Sequence, residues 1–138
     1  MAEEKEVEDE INDVIDIESF FSRDNEENGI WREVKYTGIE FKCHGPNSSK
    51  AAEADEYFRN EKAKLDENAS DNKKLDELYI KRLAMLVSDV RGKNGKKLTL
   101  KGKDVTKNDI YTILFKSPVI ATDLIGFVSR QENFLESE

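Results

Sequence analysis

An alternation of apolar and polar residues near the start of the main body of the chain predicts a β-hairpin. Residues 30–36 are rich in β-forming side chains, and Thr37-Gly38 supplies a turn. Residues 39–43 alternate apolar and polar side chains at a period of two, which is typical of a strand with one buried face. We therefore expect Ile39, Phe41 and Cys43 to share one face of a hairpin that ends at residues 44–47.

Apolar residues at helical spacing predict two longer helices after the hairpin. Ser48 or Ser49 can cap the first helix, whose apolar stripe runs to about residue 67. The second helix has the strongest pattern in the chain and is expected at roughly residues 73–91, with Gly92 as its stop signal. The positions behind these two predictions are Ala51, Ala54, Phe58 and Leu65, and then Leu75, Leu78, Tyr79, Leu83, Leu86, Val87 and Val90.

The C-terminal third predicts two shorter helices separated by a proline. Thr106 is placed to cap the first, and Ser117-Pro118 supplies the N-cap and the first residue of the second. The apolar positions are Ile110, Ile113 and Leu114, and then Val119, Ile120, Leu124, Phe127 and Val128. The patterns together predict an α+β fold, mainly α, in which an N-terminal β-hairpin packs on about four helices.

The first 29 residues are predicted to be an acidic, largely disordered tail. Six of residues 1–10 are acidic, a composition that does not support a packed core. Residues 11–21 interleave apolar and acidic side chains over a length too short for a stable isolated helix. We expect this segment to become ordered on docking, either on the body of the same chain or on a partner. Residues 24–29 form a polar boundary, so one small domain is expected over residues 30–135.

The net charge of −8 is distributed unevenly along the chain. Residues 1–28 hold 12 of the 30 acidic and 2 of the 22 basic residues, a net −10, and the remainder holds 18 and 20, a net +2. Residues 91–107 contain seven basic residues, one acidic residue and three glycines, which indicates a flexible basic linker at 91–105. This linker can contact nucleic-acid phosphates or the acidic tail of the same chain. Because it has no aromatic side chain to stack on bases, nucleic acid is not the expected partner.

The residues that could carry catalysis or bind a metal are few. Cys43 and His44 are the only cysteine and histidine, and adjacent residues on a strand point to opposite faces. A zinc site needs about four ligands, and a catalytic thiol needs a base within reach. We therefore predict no disulfide, no metal, no cofactor and no enzymatic activity. The acidic N-terminus and the absence of a run of roughly 18 apolar residues predict a cytoplasmic protein without a membrane partner.

The expected function is protein binding, through the last helix and the residues that follow it. We predict a partner-binding ridge formed by Leu124, Phe127, Val128, Phe134 and Leu135. The alternative for these residues is the hydrophobic core, where Leu and Phe on one face of a helix are most often found. Phe134 and Leu135 favour the ridge because they follow the last helix among polar residues.

The order of several short segments across residues 30–135 carries a family resemblance. These segments are Trp31-Arg32-Glu33-Val34, Gly38-Ile39-Glu40-Phe41-Lys42, Pro46-Asn47-Ser48, Lys81-Arg82-Leu83-Ala84, Val87-Ser88-Asp89-Val90, Gly95, Thr106, Ser117-Pro118-Val119-Ile120 and Glu132-Asn133-Phe134-Leu135. In this order they resemble the small tail assembly chaperones and related minor tail proteins of long-tailed bacteriophages.

The resemblance implies a non-enzymatic phage tail assembly chaperone in the cytoplasm of the host bacterium. Such a chaperone binds the tape-measure protein, whose exposed apolar helices are prone to aggregate, and recruits tail-tube subunits before it leaves the particle. A homo-oligomer is compatible with this role. Two alternatives stay open: a structural minor tail or head–tail junction protein retained in the virion, and a small regulatory or nucleic-acid-binding module that uses residues 91–107.

Overall fold

A three-stranded antiparallel sheet and the helices packed on one of its faces form the fold. The computed structural model describes residues 13–65 and 71–136. Its elements are α1 (Arg23–Asn28), β1 (Ile30–Val34), β2 (Ile39–Cys43), α2 (Ser49–Lys62), α3 (Asp71–Met85), β3 (Val87–Gly92), β4 (Thr99–Leu100), β5 (Lys103–Asp104), α4 (Ile110–Lys116) and α5 (Pro118–Val128). Short 3₁₀ turns lie at Ile17–Phe20, Lys93–Gly95, Lys107–Asp109 and Gln131–Phe134. The α+β, mainly α class is therefore confirmed.

The predicted hairpin forms the first two strands of the sheet. β1 pairs antiparallel with β2, and Val34 lies opposite Ile39 at the turn. Phe41 and Cys43 are completely buried, and Ile39 packs against the core at the edge of the same face. The alternation of residues 39–43 therefore predicted both the strand and its buried face correctly.

The second long helix is shorter than predicted, and its last turn is instead a strand. α3 ends at Met85, and β3 pairs antiparallel with β2 in the sheet order β1-β2-β3. Val87 lies opposite Cys43 and Val90 opposite Phe41, with a register shift between them. The extra residue of this β-bulge places two valines three positions apart on one buried face. That spacing also suits a helix, which explains the error.

The basic segment is not the flexible linker that its glycines indicated. Gly92 does not end a helix; it ends β3, where a Cβ atom would overlap the carbonyl oxygen of Lys96 in the turn that follows. β4 and β5 then form a small hairpin in which Thr99 lies opposite Asp104. Lys101 and Gly102 at its tip both have positive φ, as tight two-residue hairpin turns require. Residues 91–105 therefore carry defined secondary structure.

The caps of the two C-terminal helices are those predicted. Thr106 and Asp109 form a reciprocal capping box, and the Ser117 hydroxyl accepts a hydrogen bond from the Ile120 N–H at 3.3 Å. Pro118 then begins α5, whose direction differs by 109° from that of Lys107–Lys116. Among the described residues no single helix is long and apolar enough to cross a membrane. The bent pair reaches a sufficient length and apolar content only when its two helices are counted together.

The predicted polar boundary before Ile30 is instead a packed helix. Residues 24–28 belong to α1, and Glu26 within it is completely buried. The Asn25 side chain donates to the carbonyl oxygen of Phe134 at 3.0 Å, so α1 is held against the C-terminal residues. Composition alone indicates a polar boundary at this position because it does not reveal these distant hydrogen-bond partners. The predicted disorder of residues 1–12 falls outside the described residues.

Replacing Phe134 by alanine is expected to lower the free energy of unfolding by about 3–5 kcal/mol, the usual cost of truncating a fully buried Phe. Phe134 is 0% exposed, and its ring centroid lies 5.3 Å from that of Phe127. Urea unfolding followed by circular dichroism measures the change. Val119→Ala is the matched control, since Val119 is 75% exposed and its loss should cost less than about 0.5 kcal/mol. Equal stability of both variants would contradict the burial of Phe134.

Candidate protein-binding surface

The prediction of an exposed partner-binding ridge is wrong, because its side chains are buried or half-buried in the fold. Leu124 and Phe134 are 0% exposed and Val128 is 4% exposed, while Phe127 and Leu135 are half-buried. The apolar face of α5 packs against the sheet at β1, and the turn Gln131–Phe134 folds back onto the helix. The residues after the last helix therefore complete the core instead of extending from it.

A buried carboxylate joins α1 to the loop after β2. The Glu26 Oε2 atom accepts hydrogen bonds from the Ser22 hydroxyl at 2.7 Å and the Asn47 side-chain amide at 3.2 Å. Its Oε1 atom accepts from the backbone N–H of Asn47 at 2.6 Å. A Cβ atom on Gly45 would overlap the Glu26 side chain, so only glycine fits at that position. These contacts, which a buried carboxylate requires, fix residues 45–47 relative to α1.

His44 joins the same helix to β3. Its Nδ1 atom lies 2.9 Å from the carbonyl oxygen of Glu27, and its Nε2 atom lies 2.7 Å from the hydroxyl of Ser88. Because a carbonyl oxygen only accepts, Nδ1 carries the proton and Nε2 accepts from Ser88. Burial lowers the pKa of His44 below its ordinary value of 6.5, and the hydrogen bond to Glu27 offsets this only in part. His44 is therefore a neutral structural residue.

Cys43 is part of the hydrophobic core. Its side chain is 0% exposed, and burial raises the pKa of the thiol to about 12. A thiol with so high a pKa is a weak nucleophile and a weak metal ligand at neutral pH, since the thiolate is the reactive form. Across residues 13–65 and 71–136, no three His, Cys, Asp or Glu side chains are grouped so as to hold a metal ion.

Acidic side chains of the same chain neutralise part of the positive charge of the basic segment, residues 91–107. Three of its basic residues form ion pairs: Arg91 with Glu40 at 2.7 Å, Lys93 with Glu33 at 3.0 Å, and Lys97 with Asp104 at 3.3 Å. The Arg91 guanidinium also lies 3.9 Å from the centroid of the Trp31 ring. These pairs reduce the positive potential that a nucleic-acid site would need.

An apolar groove of about 310 Å³ lies between α2, α3 and α5. Tyr79 and Ile125, each 44% exposed, stand at its rim. Arg82 donates to Asp55 at 2.9 Å across its edge and thereby ties α3 to α2. Its full lining is Pro46, Ala51, Asp55, Tyr79, Arg82, Leu83, Leu86, Ile125, Val128 and Ser129.

The sequence signal for the apolar groove is weak. Of the five predicted ridge residues, only Val128 lines it, as part of its floor. The sequence pattern predicts no role for Ile125, because it lies outside the apolar stripe of α5, beside Leu124. An apolar residue outside the main stripe of a helix is the one local sign that a second face of that helix is also apolar and can line a binding site.

A second apolar surface lies on the segment before α1. Residues 14–21, here called the apolar arm, expose Val14, Ile15, Ile17, Phe20 and Phe21 by 73%, 74%, 68%, 64% and 49%. Asp16 caps the 3₁₀ turn Ile17–Phe20 in the middle of the arm. The arm was expected to dock on the body of the chain or on a partner, and in the structure its apolar side chains remain exposed to solvent.

Comparison of the chain with protein-family models, with curated proteins and with solved structures finds no match. The function is therefore inferred from the surfaces of the molecule itself. Among the described residues, the apolar groove and the apolar arm each combine several large apolar side chains with high exposure, and such patches are typical of protein-binding sites.

The unfolding free energy is expected to fall as the pH drops from about 7.5 to about 5.5, because the unfolded chain then takes up a proton that folded His44 resists. The lowered pKa means that this stability is present above 6.5 and is lost as the pH falls toward the folded-state value. The unfolding free energy changes by at most about 1.4 kcal/mol per pH unit for the uptake of one proton. Urea unfolding at several pH values measures it.

His44→Gln is the control for this slope, since His44 is the only histidine and no other imidazole titrates in this range. The variant should be less stable at neutral pH but flatter in its pH dependence. Proton NMR of the single imidazole gives the pKa directly. A ring that titrates at or above 6.5 in the folded protein would contradict the assignment.

Proposed function

We propose that this protein is a non-enzymatic tail assembly chaperone of a long-tailed bacteriophage, active in the host cytoplasm, which binds apolar helices of the tape-measure protein. The observation that carries the binding role is the apolar groove between α2, α3 and α5, and the assignment to phage tails follows the sequence resemblance of residues 30–135. Its rim residues Tyr79 and Ile125 are partly exposed above a floor of buried core side chains. An amphipathic helix that lays its apolar face into such a groove is a recurrent mode of peptide recognition.

The size of the apolar groove favours recognition of a few side chains. A volume of about 310 Å³ admits a small number of apolar anchors from one face of a helix. The ion pair between Asp55 and Arg82 lies at the edge, where the polar flank of such a helix would pass. Binding by few anchors is modest in strength, which suits a chaperone that must dissociate as the tail is completed.

The roles of the reactive side chains also support a binding function. Cys43 is held in the core as a neutral thiol, and His44 is hydrogen-bonded on both ring nitrogens. Glu26 is saturated by donors from Ser22 and Asn47. Each of these groups stabilises the fold at the junction of α1, β2 and β3, and this occupation supports the absence of a catalytic role.

Co-expression with a tape-measure protein that carries long apolar helices is expected to raise the soluble fraction of that protein. Ile125→Asp should remove the effect and weaken binding by at least roughly tenfold, because an aspartate in an apolar site loses its hydration without gaining a partner. Val119→Asp is the matched control, since Val119 lies on the same helix, is 75% exposed and does not line the apolar groove. Sedimentation of the lysate and calorimetry with a helical fragment measure the two effects.

Three results would contradict the proposal in different ways. Equal loss of binding in Ile125→Asp and Val119→Asp would exclude the apolar groove as the site. Binding that weakens steeply between about 50 mM and about 200 mM salt would indicate contacts with phosphates or other charges, and would favour the regulatory or nucleic-acid-binding alternative. The presence of the chain in purified virions would favour a structural tail or head–tail junction subunit.

A further inference from the structure

The apolar arm carries a set of large side chains that match an unfilled apolar surface of the same molecule. Val14, Ile15, Ile17 and Phe20 are between 64% and 74% exposed, and acidic residues are interleaved with them. Contiguous exposed apolar side chains of this kind mark a segment that binds a complementary surface. The apolar groove is such a surface among the described residues.

The base of the arm lies beside the end of the apolar groove. Phe20 and Phe21 line a depression that is also lined by Asn47 and Gln131. The groove begins at Pro46 and Ser129, which are one and two residues away in the chain. The Asn47 side-chain amide donates to the Gln131 side chain at 3.4 Å, which joins these two walls. The depression beside the arm and the end of the apolar groove are therefore lined by neighbouring residues of the chain, within 46–47 and 129–131.

The arm is anchored at one end and untethered along its length. The backbone N–H of Glu136 donates to the carbonyl oxygen of Phe21 at 2.9 Å and fixes the base. Within the part of the chain that the structure describes, the hydrogen bonds of residues 14–20 all lie inside the segment 16–21. Seven extended residues reach about 23 Å. Ser129 and Ile125 are separated by only about 6 Å of helix, so the length suffices.

We propose that the apolar arm of each molecule folds into its own apolar groove and occupies it until a partner helix displaces it. The proposal rests on the proposed function for the groove and adds its resident occupant. Ile17 and Phe20, nearest to the base, are the side chains that would reach Ile125 and Tyr79. A closed arm covers apolar surface on both elements at once, which lowers the tendency of the free protein to aggregate.

The tether favours the arm of the same molecule over that of a second copy. A short flexible connection gives an effective concentration in the millimolar range, far above the usual concentration of a free protein. A partner helix must then compete with the arm. Its apparent association constant is the intrinsic constant multiplied by the fraction of molecules whose groove is open. The arm therefore sets a threshold that only a strongly apolar helix overcomes.

Thiol labelling of the full chain tests this inference without any partner. Ile125→Cys places a reporter at the rim of the apolar groove, and Val119→Cys places one at an exposed position of the same helix. Native Cys43 gives no background, since it is buried and its pKa is about 12. The rate of reaction of Ile125→Cys with iodoacetamide is expected to rise about tenfold when Ile17→Asp and Phe20→Asp are added to the arm. The rate of Val119→Cys should not change.

The dependence on protein concentration separates the possible occupants. Protection of Ile125→Cys that is independent of concentration supports the arm of the same chain. Protection that grows with concentration would overturn the proposal in favour of a second copy, and a rate unaffected by the arm substitutions would show that the arm stays open. Neither of these negative results touches the binding of a partner helix to the apolar groove, which Ile125→Asp tests separately. A single cooperative thermal unfolding transition and an unchanged far-ultraviolet circular dichroism spectrum confirm that the arm variants are folded, and a modest fall in their melting temperature is expected because the docked arm stabilises the folded state.

Discussion

The buried carboxylate of Glu26 is the contact on which the arrangement of both apolar surfaces depends. A carboxylate withdrawn from water requires hydrogen-bond donors, and Glu26 obtains them from Ser22 and from Asn47. The loop that it holds supplies Pro46 to the apolar groove and leads to Ser48, whose hydroxyl accepts from the Ala51 N–H at the start of α2. One polar junction therefore fixes a wall of the groove, the first turn of α2 and the helix from which the arm departs.

This end of the molecule reverses the usual distribution of side chains. A carboxylate and an imidazole are inside, whereas five large apolar side chains of the arm are outside. The buried polar groups are stable there because each has a specific partner, and their geometry admits little alternative packing. The exposed apolar groups have no such partner in the described fold. The buried junction and the exposed arm thus use different residues of the same short stretch, and the hydrogen bonds of the junction do not involve the apolar side chains of the arm.

The sequence predicted those features that depend on residues close together in the chain. The hairpin, the N-cap at Thr106 and the restart at Ser117-Pro118 are set within a few positions, and all three are present. The errors arose where distant contacts decide. A β-bulge opposite Cys43 gives Val87 and Val90 a helical spacing, and α1 is packed because of partners some twenty and one hundred residues away. Phe134 is buried because the C-terminal turn folds back, which no local pattern reveals.

The two apolar surfaces differ in the same respect. The arm is recognisable from its composition because its apolar residues lie within eight positions of the chain. The apolar groove is built from three helices and one loop, and the off-stripe Ile125 is its one local trace in the sequence. In the proposed function, a groove of about 310 Å³ engages few side chains, so no single site holds a long helix firmly. A tape-measure protein that repeats apolar helical stretches would then be covered by many such weak contacts, each opposed by the proposed closure of an arm at high effective concentration. Coverage of this kind is extensive but reversible, because each contact is released independently of the others.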